Sequence, residues 1–510
     1  MKQAKLAHDP KWIYAGALLI ALIPSLIKLI YYPSYIGSDD TYIHLQVARN
    51  VLTHHEWGLN PGVRCNLSTS PLFTMLLIAA WSVCGKLMTG LLQVTSCLAT
   101  TVGLLALFVR LRRTTGGDLA ASFFGLGAAA FACNLWRWNG TLMETSYAFC
   151  AVCLILLCFT TFELGPLAAG SAGLLLGMSA LLRPELLAVG ALCAMLMAWH
   201  SCTNRTLSPV RSLAALLTGL SLPLTTWALF AHSYFGSVLP TTFGAKTAPG
   251  VMLWNPQILK QYAELVGLSL LWPVLLYAGC LVLALRQRPK LPEYLWLPVA
   301  ATTAIAGFYY LRAPGLESPG RYLLILFPMV CTGGTEVLSV MMRAVPQWRW
   351  KTVLATVLVL HLGTSVVFNT LLIVPALRFF QKEYFVTMQQ AAEYLARSAQ
   401  PQARVLVEVD VGVLAYCSQN KFIIEDGAGL ASPEFVRRGI ASDGVRPELV
   451  REQMALVQPE FVVQSQGEAP ASLAKDMPEL IPVWSREYAG HGVSSPRQLF
   501  ANIYLVKPKR

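Results

Sequence analysis

Asp39 and Asp40 stand side by side in Gly37-Ser38-Asp39-Asp40-Thr41-Tyr42, a few residues beyond the first apolar segment. Ionisable groups beside lipid are costly, so two neighbouring carboxylates there are either solvated or used. One use is helix capping. Asp40 precedes a stretch from Thr41 to Leu52 in which Ile43, Val47 and Val51 recur every fourth residue, as on an amphipathic helix. Capping needs a single aspartate and leaves the second without a task. The other use is general-base chemistry, with one carboxylate taking the proton from an attacking hydroxyl. Adjacent residues of an extended loop point in different directions, so the second acid would orient the acceptor or cap the helix. A divalent cation held through carboxylate oxygens is a third use. Displacing a single phosphate does not call for a cation, and the mechanism expected here is metal-independent.

Where an attacked group departs as a phosphate, cations or donors must surround it. Arg321 and Tyr322 open an apolar segment after Pro319-Gly320, where a helix N-terminus plus a guanidinium makes a phosphate site; an arginine snorkelling to lipid headgroups is the alternative. Lys246 ends the loop Gly236-Ser237-Val238-Leu239-Pro240-Thr241-Thr242-Phe243-Gly244-Ala245-Lys246, where a solvated lysine is the plainer expectation. Arg183-Pro184-Glu185 interrupts a helical pattern and reads as a self-satisfied ion pair or as a cavity wall. Glu144 follows Trp136 to Met143 at the start of a span, where the helix dipole accounts for it. His44, with Glu144, Arg183 and Glu185, is a candidate for the acceptor cavity. His44, His54, His55 and His232 form no recognisable metal set.

The elements that must position these residues are mostly membrane helices. The chain has 510 residues, 55% hydrophobic and 13% charged. Long apolar runs separated by short polar loops identify a polytopic α-helical membrane protein. The expected spans are about 12–32, 90–109, 119–135, 144–163, 165–182, 185–199, 212–232, 262–285, 294–311, 321–342 and 352–374. The run 70–86 is ambiguous, and charge decides it. With 70–86 lying on or dipping into the outer leaflet, the clusters Lys2/Lys5/Lys11, Arg110/Arg112/Arg113, Arg205/Arg211, Arg286/Arg288/Lys290 and Arg343/Arg349/Lys351 fall on one side. The positive-inside rule makes that side cytoplasmic. Eleven spans then leave the N-terminus inside and the C-terminus outside, with the loops 33–89, 134–143, 233–260 and 312–320 on the outer face.

From about Arg378 the pattern changes. Thr387 to Leu395 has helical spacing, Arg404 to Asp410 alternates as a strand, Pro447 to Leu456 is helical, and Glu460 to Val463 and Leu499 to Val506 read as strands. The expectation is a transmembrane catalytic domain over 1–377 and an extracytoplasmic α/β domain over 378–510. The formal net charge of +12 is scattered over short loops, which argues against nucleic acid as a partner. Of the twelve cysteines, Cys97, Cys150, Cys153, Cys158, Cys193, Cys280 and Cys331 lie in apolar runs as small hydrophobes. Cys65, Cys84, Cys133 and Cys417 leave room for one bridge. No pair has zinc spacing. The first apolar run, Trp12 to Tyr32, is too long for a signal-peptide core and reads as a retained span.

Eight stretches, in order, resemble the GT-C superfamily of polyprenyl-phosphate-sugar-dependent glycosyltransferases, in the branch of the mycobacterial terminal β-(1→2) arabinofuranosyltransferase. They are Asp39-Asp40-Thr41-Tyr42-Ile43, Ala48-Arg49-Asn50, Gly58-Leu59-Asn60-Pro61-Gly62, Thr69-Ser70-Pro71-Leu72, Asn139 to Thr145, Leu182-Arg183-Pro184-Glu185, Leu239-Pro240-Thr241-Thr242 with Ala245-Lys246, and Gly320-Arg321-Tyr322. In the tail, Asp410-Val411-Gly412-Val413-Leu414-Ala415-Tyr416 and Ile424 to Leu430 are similar to that branch's extracytoplasmic domain. The resemblance implies a catalytic acid at Asp39 with Asp40 as companion, a phosphate held by Lys246, Arg321 and Tyr322, inversion at the anomeric carbon, and no certain cofactor. It also implies an undecaprenyl- or decaprenyl-phosphate sugar donor, an extracytoplasmic glycan, lipid-glycan or protein acceptor, and a place in the bacterial cytoplasmic membrane. Leu142-Met143 replaces the usual glycine before Glu144, which departs from the pattern.

Rival functions are a lipid-glycan flippase, a catalytically silent glycan-binding scaffold, and a protein O-glycosyltransferase of the same architecture. A flippase would carry charges in mid-span and paired repeats. The sequence offers no convincing repeat and places its acids in outer loops.

Overall fold

A computed structural model describes residues 10–204, 209–246, 252–313, 319–346, 348–408, 410–442, 446–467, 471–492 and 495–507. Contacts divide the chain into two compact units. The first comprises Met1–Pro33, Leu92–Trp227 and Ala248–Leu371; the second comprises Ser34–Leu91, Ala228–Thr247 and Leu372–Arg510.

The chain is a multi-pass membrane protein. Among the described residues, six helices are long and apolar enough to cross a bilayer: Lys11–Tyr31, Pro71–Thr114, Val210–Phe235, Glu293–Arg312, Gly320–Ala344 and Trp350–Ser398. The pair Pro256–Ser269 and Leu271–Gln287, bent by 104°, makes a seventh if it is one span. Leu119–Ala130, Thr145–Cys158, Pro166–Leu182 and Leu186–His200 are apolar but shorter. Every span expected from sequence falls on one of these helices. The ambiguous run 70–86 forms the 14-residue helix Pro71–Cys84, which ends at Gly85 ahead of the helix Met88–Thr114. All twelve cysteines are free, so the bridge left open among Cys65, Cys84, Cys133 and Cys417 is not formed.

In the first unit, small residues set how closely helices approach. A Cβ on Gly173 would sit 2.1 Å from the Leu216 carbonyl oxygen, and one on Gly219 would sit 2.2 Å from the Gly170 oxygen. Pro166–Leu182 and Pro209–Phe235 therefore pack backbone to backbone, as membrane helices do where small residues repeat every third or fourth position. The unit also holds a buried ion pair. Arg110 Nη2 lies 3.0 Å from Glu336 Oε1, both side chains fully enclosed, and Arg110 also donates to the carbonyls of Leu156, Phe159 and Tyr294. This corrects two expectations. Arg110 is not a loop charge, and an acid does lie within an apolar helix, neutralised by its partner.

The second unit is built on a five-stranded sheet: β1 Arg404–Val407, β2 Ile423–Asp426, β3 Phe461–Gly467, β4 Leu480–Gly492 and β5 Ser495–Val506. The spatial order is β2-β1-β3-β5-β4, with β1 parallel to both neighbours and the pairs β3/β5 and β5/β4 antiparallel. Central parallel strands are covered on both faces and read as unbroken apolar runs. Val405-Leu406-Val407 and Phe461-Val462-Val463 do so, and all six are buried. The sequence missed β2, whose two isoleucines are followed by two acids and so show neither an apolar run nor an alternation. It also missed β4, whose pairing shifts register between Pro482 and Trp484 and so blurs the alternation.

Helix Asp39–His54 belongs to this unit, and nine of its side chains are buried, Thr41 to Ala48 and Asn50. It is not the half-solvated helix that its apolar spacing predicts. Its polar face is bonded instead. Asn50 Nδ2 donates to the carbonyls of Gly58 (3.0 Å) and Leu59 (2.9 Å). Gln46 Nε2 donates to Asn420 at 2.6 Å, and Arg49 Nη1 donates to the Tyr416 carbonyl at 2.7 Å. Beyond the helix, Asn60 donates to the Ile424 carbonyl at 2.8 Å and accepts from the Ile424 amide at 2.9 Å.

Glu408 follows β1, is 2% exposed, and neither carboxylate oxygen has a hydrogen-bond partner. Burial pushes its pKa from 4.5 up to about 8. The folded state thus holds the proton more tightly than the unfolded chain. The associated stability is fully present below pH 4.5 and is lost as pH rises through 8. Thermal unfolding of the full-length protein in detergent should show wild type losing on the order of 3 kcal/mol between about pH 6 and pH 9, a loss that Glu408→Gln removes.

Candidate active site

The candidate residues fall into two groups, one in each unit. In the second unit, Asp39 and Asp40 form the first turn of their helix, after Ser38, whose side chain makes no cap. Neither aspartate precedes the helix as a cap would. The Asp39 carboxylate instead reaches a different element, the helix Val411–Ser418. Oδ2 accepts from the Gly412 amide and Oδ1 from the Val413 amide, each at 2.8 Å. These are exposed donors of a helix N-terminus, which favour an anion.

The approach depends on the residue at 412. A Cβ there would stand 2.2 Å from the Asp39 carbonyl oxygen and 2.8 Å from its Oδ2, so only glycine fits. Asp410, with φ of 56°, leads into the helix and places a second carboxylate near the first. The Asp39 pKa is held well above the usual carboxylate range. Burial is the chief cause, followed by the negative charge of Asp410; the amides of Val413 and Gly412 oppose the rise, and Asp40 adds to it least. Sequence reasoning had placed Asp410 and Gly412 only inside a tail motif, not at the site. The signal was there, since an Asp-x-Gly directly after a strand and before a helix is where a backbone N-terminus opens.

His44 is buried, with Nδ1 2.8 Å from Thr74 Oγ1, which in turn lies 2.9 Å from Ser68 Oγ. This chain ties helix Asp39–His54 to helix Pro71–Cys84. Lys246 ends the short helix Thr241–Lys246, and its side chain lies outside the described residues. Among the described residues, no group of three or more His, Cys, Asp or Glu side chains could hold a metal ion.

In the first unit, Arg183 is the hub of a buried network. Nη1 lies 2.9 Å from Glu144 Oε1 and Nη2 lies 3.4 Å from Glu185 Oε1. Tyr309 donates its hydroxyl to Glu185, and Arg183 Nη2 is 3.5 Å from that hydroxyl. The Arg183 and Arg321 guanidinium carbons each stand 4.6 Å from the Tyr322 ring centre, and Arg321 Nη2 donates to the Tyr322 hydroxyl at 2.7 Å. The network brings Glu144, Arg183, Glu185, Arg321 and Tyr322 together. Glu144 makes no cap to its helix; it pairs with Arg183. Arg321 is buried at 4% exposure, which rules out snorkelling to headgroups.

A helical membrane fold with a small sheet-containing part is known from solved structures. Two solved structures carry the fold assignment. ArnT from Cupriavidus metallidurans, bound to undecaprenyl phosphate, matches with a TM-score of 0.54 at 13% identity, over 96% of this chain and 97% of that one. The Archaeoglobus fulgidus oligosaccharyltransferase, tethered to an acceptor peptide, matches with a TM-score of 0.52 at 12% identity, over 89% of this chain and 69% of that one. In sequence, the chain is 27% identical over 337 residues to the terminal β-(1→2)-arabinofuranosyltransferase of Mycobacterium tuberculosis, covering 58% of this chain. The match spans about half the length, 51%, of that relative. No protein-family model matches the chain.

Breaking a buried ion pair from one side leaves an uncompensated charge, at a cost of about 3–5 kcal/mol. Arg183→Met, which strips Glu144 and Glu185 of their cation, should lower the thermal midpoint in detergent sharply. Adding Glu144→Gln to it should recover part of the loss.

Proposed function

We propose that the protein is a membrane glycosyltransferase that moves a monosaccharide from a polyprenyl-phosphate donor to an extracytoplasmic glycan or lipid-glycan acceptor. The observation that carries this reading is the Asp39 carboxylate, oriented by two amides and surrounded so that its affinity for a proton is raised. A carboxylate in that state is a stronger base than a solvated aspartate. The ArnT structure that shares the fold is bound to undecaprenyl phosphate, which supports the donor class, and the sequence relative is an arabinofuranosyltransferase, which supports sugar transfer.

In the mechanism, the acceptor oxygen attacks the anomeric carbon while Asp39 takes its proton. The bond between that carbon and the phosphate oxygen breaks, and its electron pair leaves on the polyprenyl phosphate. Attack opposite to departure inverts the anomeric centre. Arg321 and Tyr322 would receive the phosphate, with Lys246 as a further cation; a guanidinium held beside a tyrosine hydroxyl offers several donors to phosphate oxygens. Arg183, already paired with Glu144 and Glu185, would keep Tyr322 in place rather than bind phosphate itself. Asp40 and His44 would line the acceptor side. The N-terminus would face the cytoplasm of a bacterial inner membrane, with residues 33–89 and the domain 378–510 on the outer face and helix Pro71–Cys84 at the outer leaflet.

The test is transfer from a panel of polyprenyl-phosphate pentoses and hexoses to cell-envelope acceptors, comparing wild type with Asp39→Asn. Loss of about a hundredfold or more in a folded Asp39→Asn protein is expected of a general base. Transfer equal to wild type would remove Asp39 from the chemistry. Because a base works ionised and its proton affinity is raised, kcat/KM should fall as pH drops through a range well above the aspartate value of 3.8.

A further inference from the structure

The tail segment that grips Asp39 has no assigned task. It contributes three things within a few residues: a carboxylate at Asp410, a Cβ-free approach at Gly412, and two amides that the Asp39 oxygens saturate in one direction each. A purely structural clamp would need the amides alone. Placing a like charge beside a carboxylate weakens that clamp, because each negative charge disfavours the other.

We propose that Asp410 is a positioning residue for the transfer reaction, acting through Asp39: the segment Asp410–Val413 fixes the direction of the Asp39 carboxylate and sets its readiness to take a proton. This rests on the reading of Asp39 as the base. The amides alone would stabilise the ionised form and make it a poor proton acceptor. The Asp410 charge works against them. The groups facing Asp39 are Asp40 and Tyr42 on its own helix, Asp410 and Cys417 along helix Val411–Ser418, and Tyr384. Among these, Asp410 has the largest charge effect on Asp39, second only to burial. Tyr384 is buried near both carboxylates.

Asp410→Asn is the informative variant. Asparagine accepts a positive φ readily, so the backbone at 56° is tolerated and only the charge is removed. The acid limb of kcat/KM for the full-length enzyme should move to lower pH, while Asp410→Glu keeps it near its original position. Gly412→Ala should leave the limb ill-defined and lower kcat by about a hundredfold, as misplacing a reacting group by about an ångström does. An unmoved limb in Asp410→Asn overturns the proposal. A second measurement needs no turnover. The pH dependence of thermal stability is compared in wild type, Asp39→Asn, Asp410→Asn and the double variant. The proposal requires the Asp410 effect to vanish in the Asp39→Asn background; additive effects overturn it. The two readings fail separately. Wild-type transfer by Asp39→Asn refutes the base assignment, whereas an inactive Asp39→Asn with an unshifted Asp410→Asn limb refutes the positioning role alone.

Discussion

One contact organises the second unit: the carboxylate of Asp39 seated on the amides of Gly412 and Val413. It joins residues more than 370 positions apart, and it decides which residue types can stand on either side. Glycine at 412 follows from the steric limit, since any Cβ would overlap the Asp39 backbone. The burial of helix Asp39–His54 follows as well. A helix anchored at its first turn against another helix must lay its remaining length along the same unit, so its polar side chains have to find partners there. Gln46, Arg49 and Asn50 do, through Asn420, the Tyr416 carbonyl and the Gly58–Leu59 carbonyls.

The same physics governs the membrane unit with different groups. Burying an unpaired charge in its interior is costly, and two buried arginines there are met by opposite charges: Arg110 by Glu336, and Arg183 by Glu144 and Glu185. Such sets add little net stability over apolar packing, but removing one member is costly. They fix which helix faces meet. The first set ties helix Met88–Thr114 to helix Leu326–Ala344, and the second holds the turn between two helices against Tyr309 and Tyr322.

Much of this was legible in the sequence, for identifiable reasons. Apolar length located the membrane helices, because lipid imposes a minimum span. Unbroken apolar runs located β1 and β3, and the paired aspartates marked the start of the second helix. What was not legible depended on distant partners. The spacing of Ile43, Val47 and Val51 predicts one buried face, whereas the structure buries the polar face too, because bonding groups arrive from residues 58–59 and 416–420. Arg110 read as a loop charge until Glu336 supplied its partner. Glu144 read as a dipole effect until Arg183 did. Strand β2, two isoleucines followed by two acids, showed no apolar run, and β4 was disguised by its irregular register. The Asp39 clamp itself combined two motifs visible in the sequence, and only the fold brought them into contact.

Asn60 carries a consequence of another kind. Strand β2 is at the border of the sheet, with one row of backbone groups turned away from β1. Asn60 meets that row with its side-chain amide, giving to the Ile424 carbonyl and taking from the Ile424 amide as a neighbouring strand would. An unprotected sheet margin is a template for pairing with foreign chains. Here the plug comes from a loop some 360 residues earlier, so the outward-facing backbone groups of Ile424 are closed off by a segment far away in sequence.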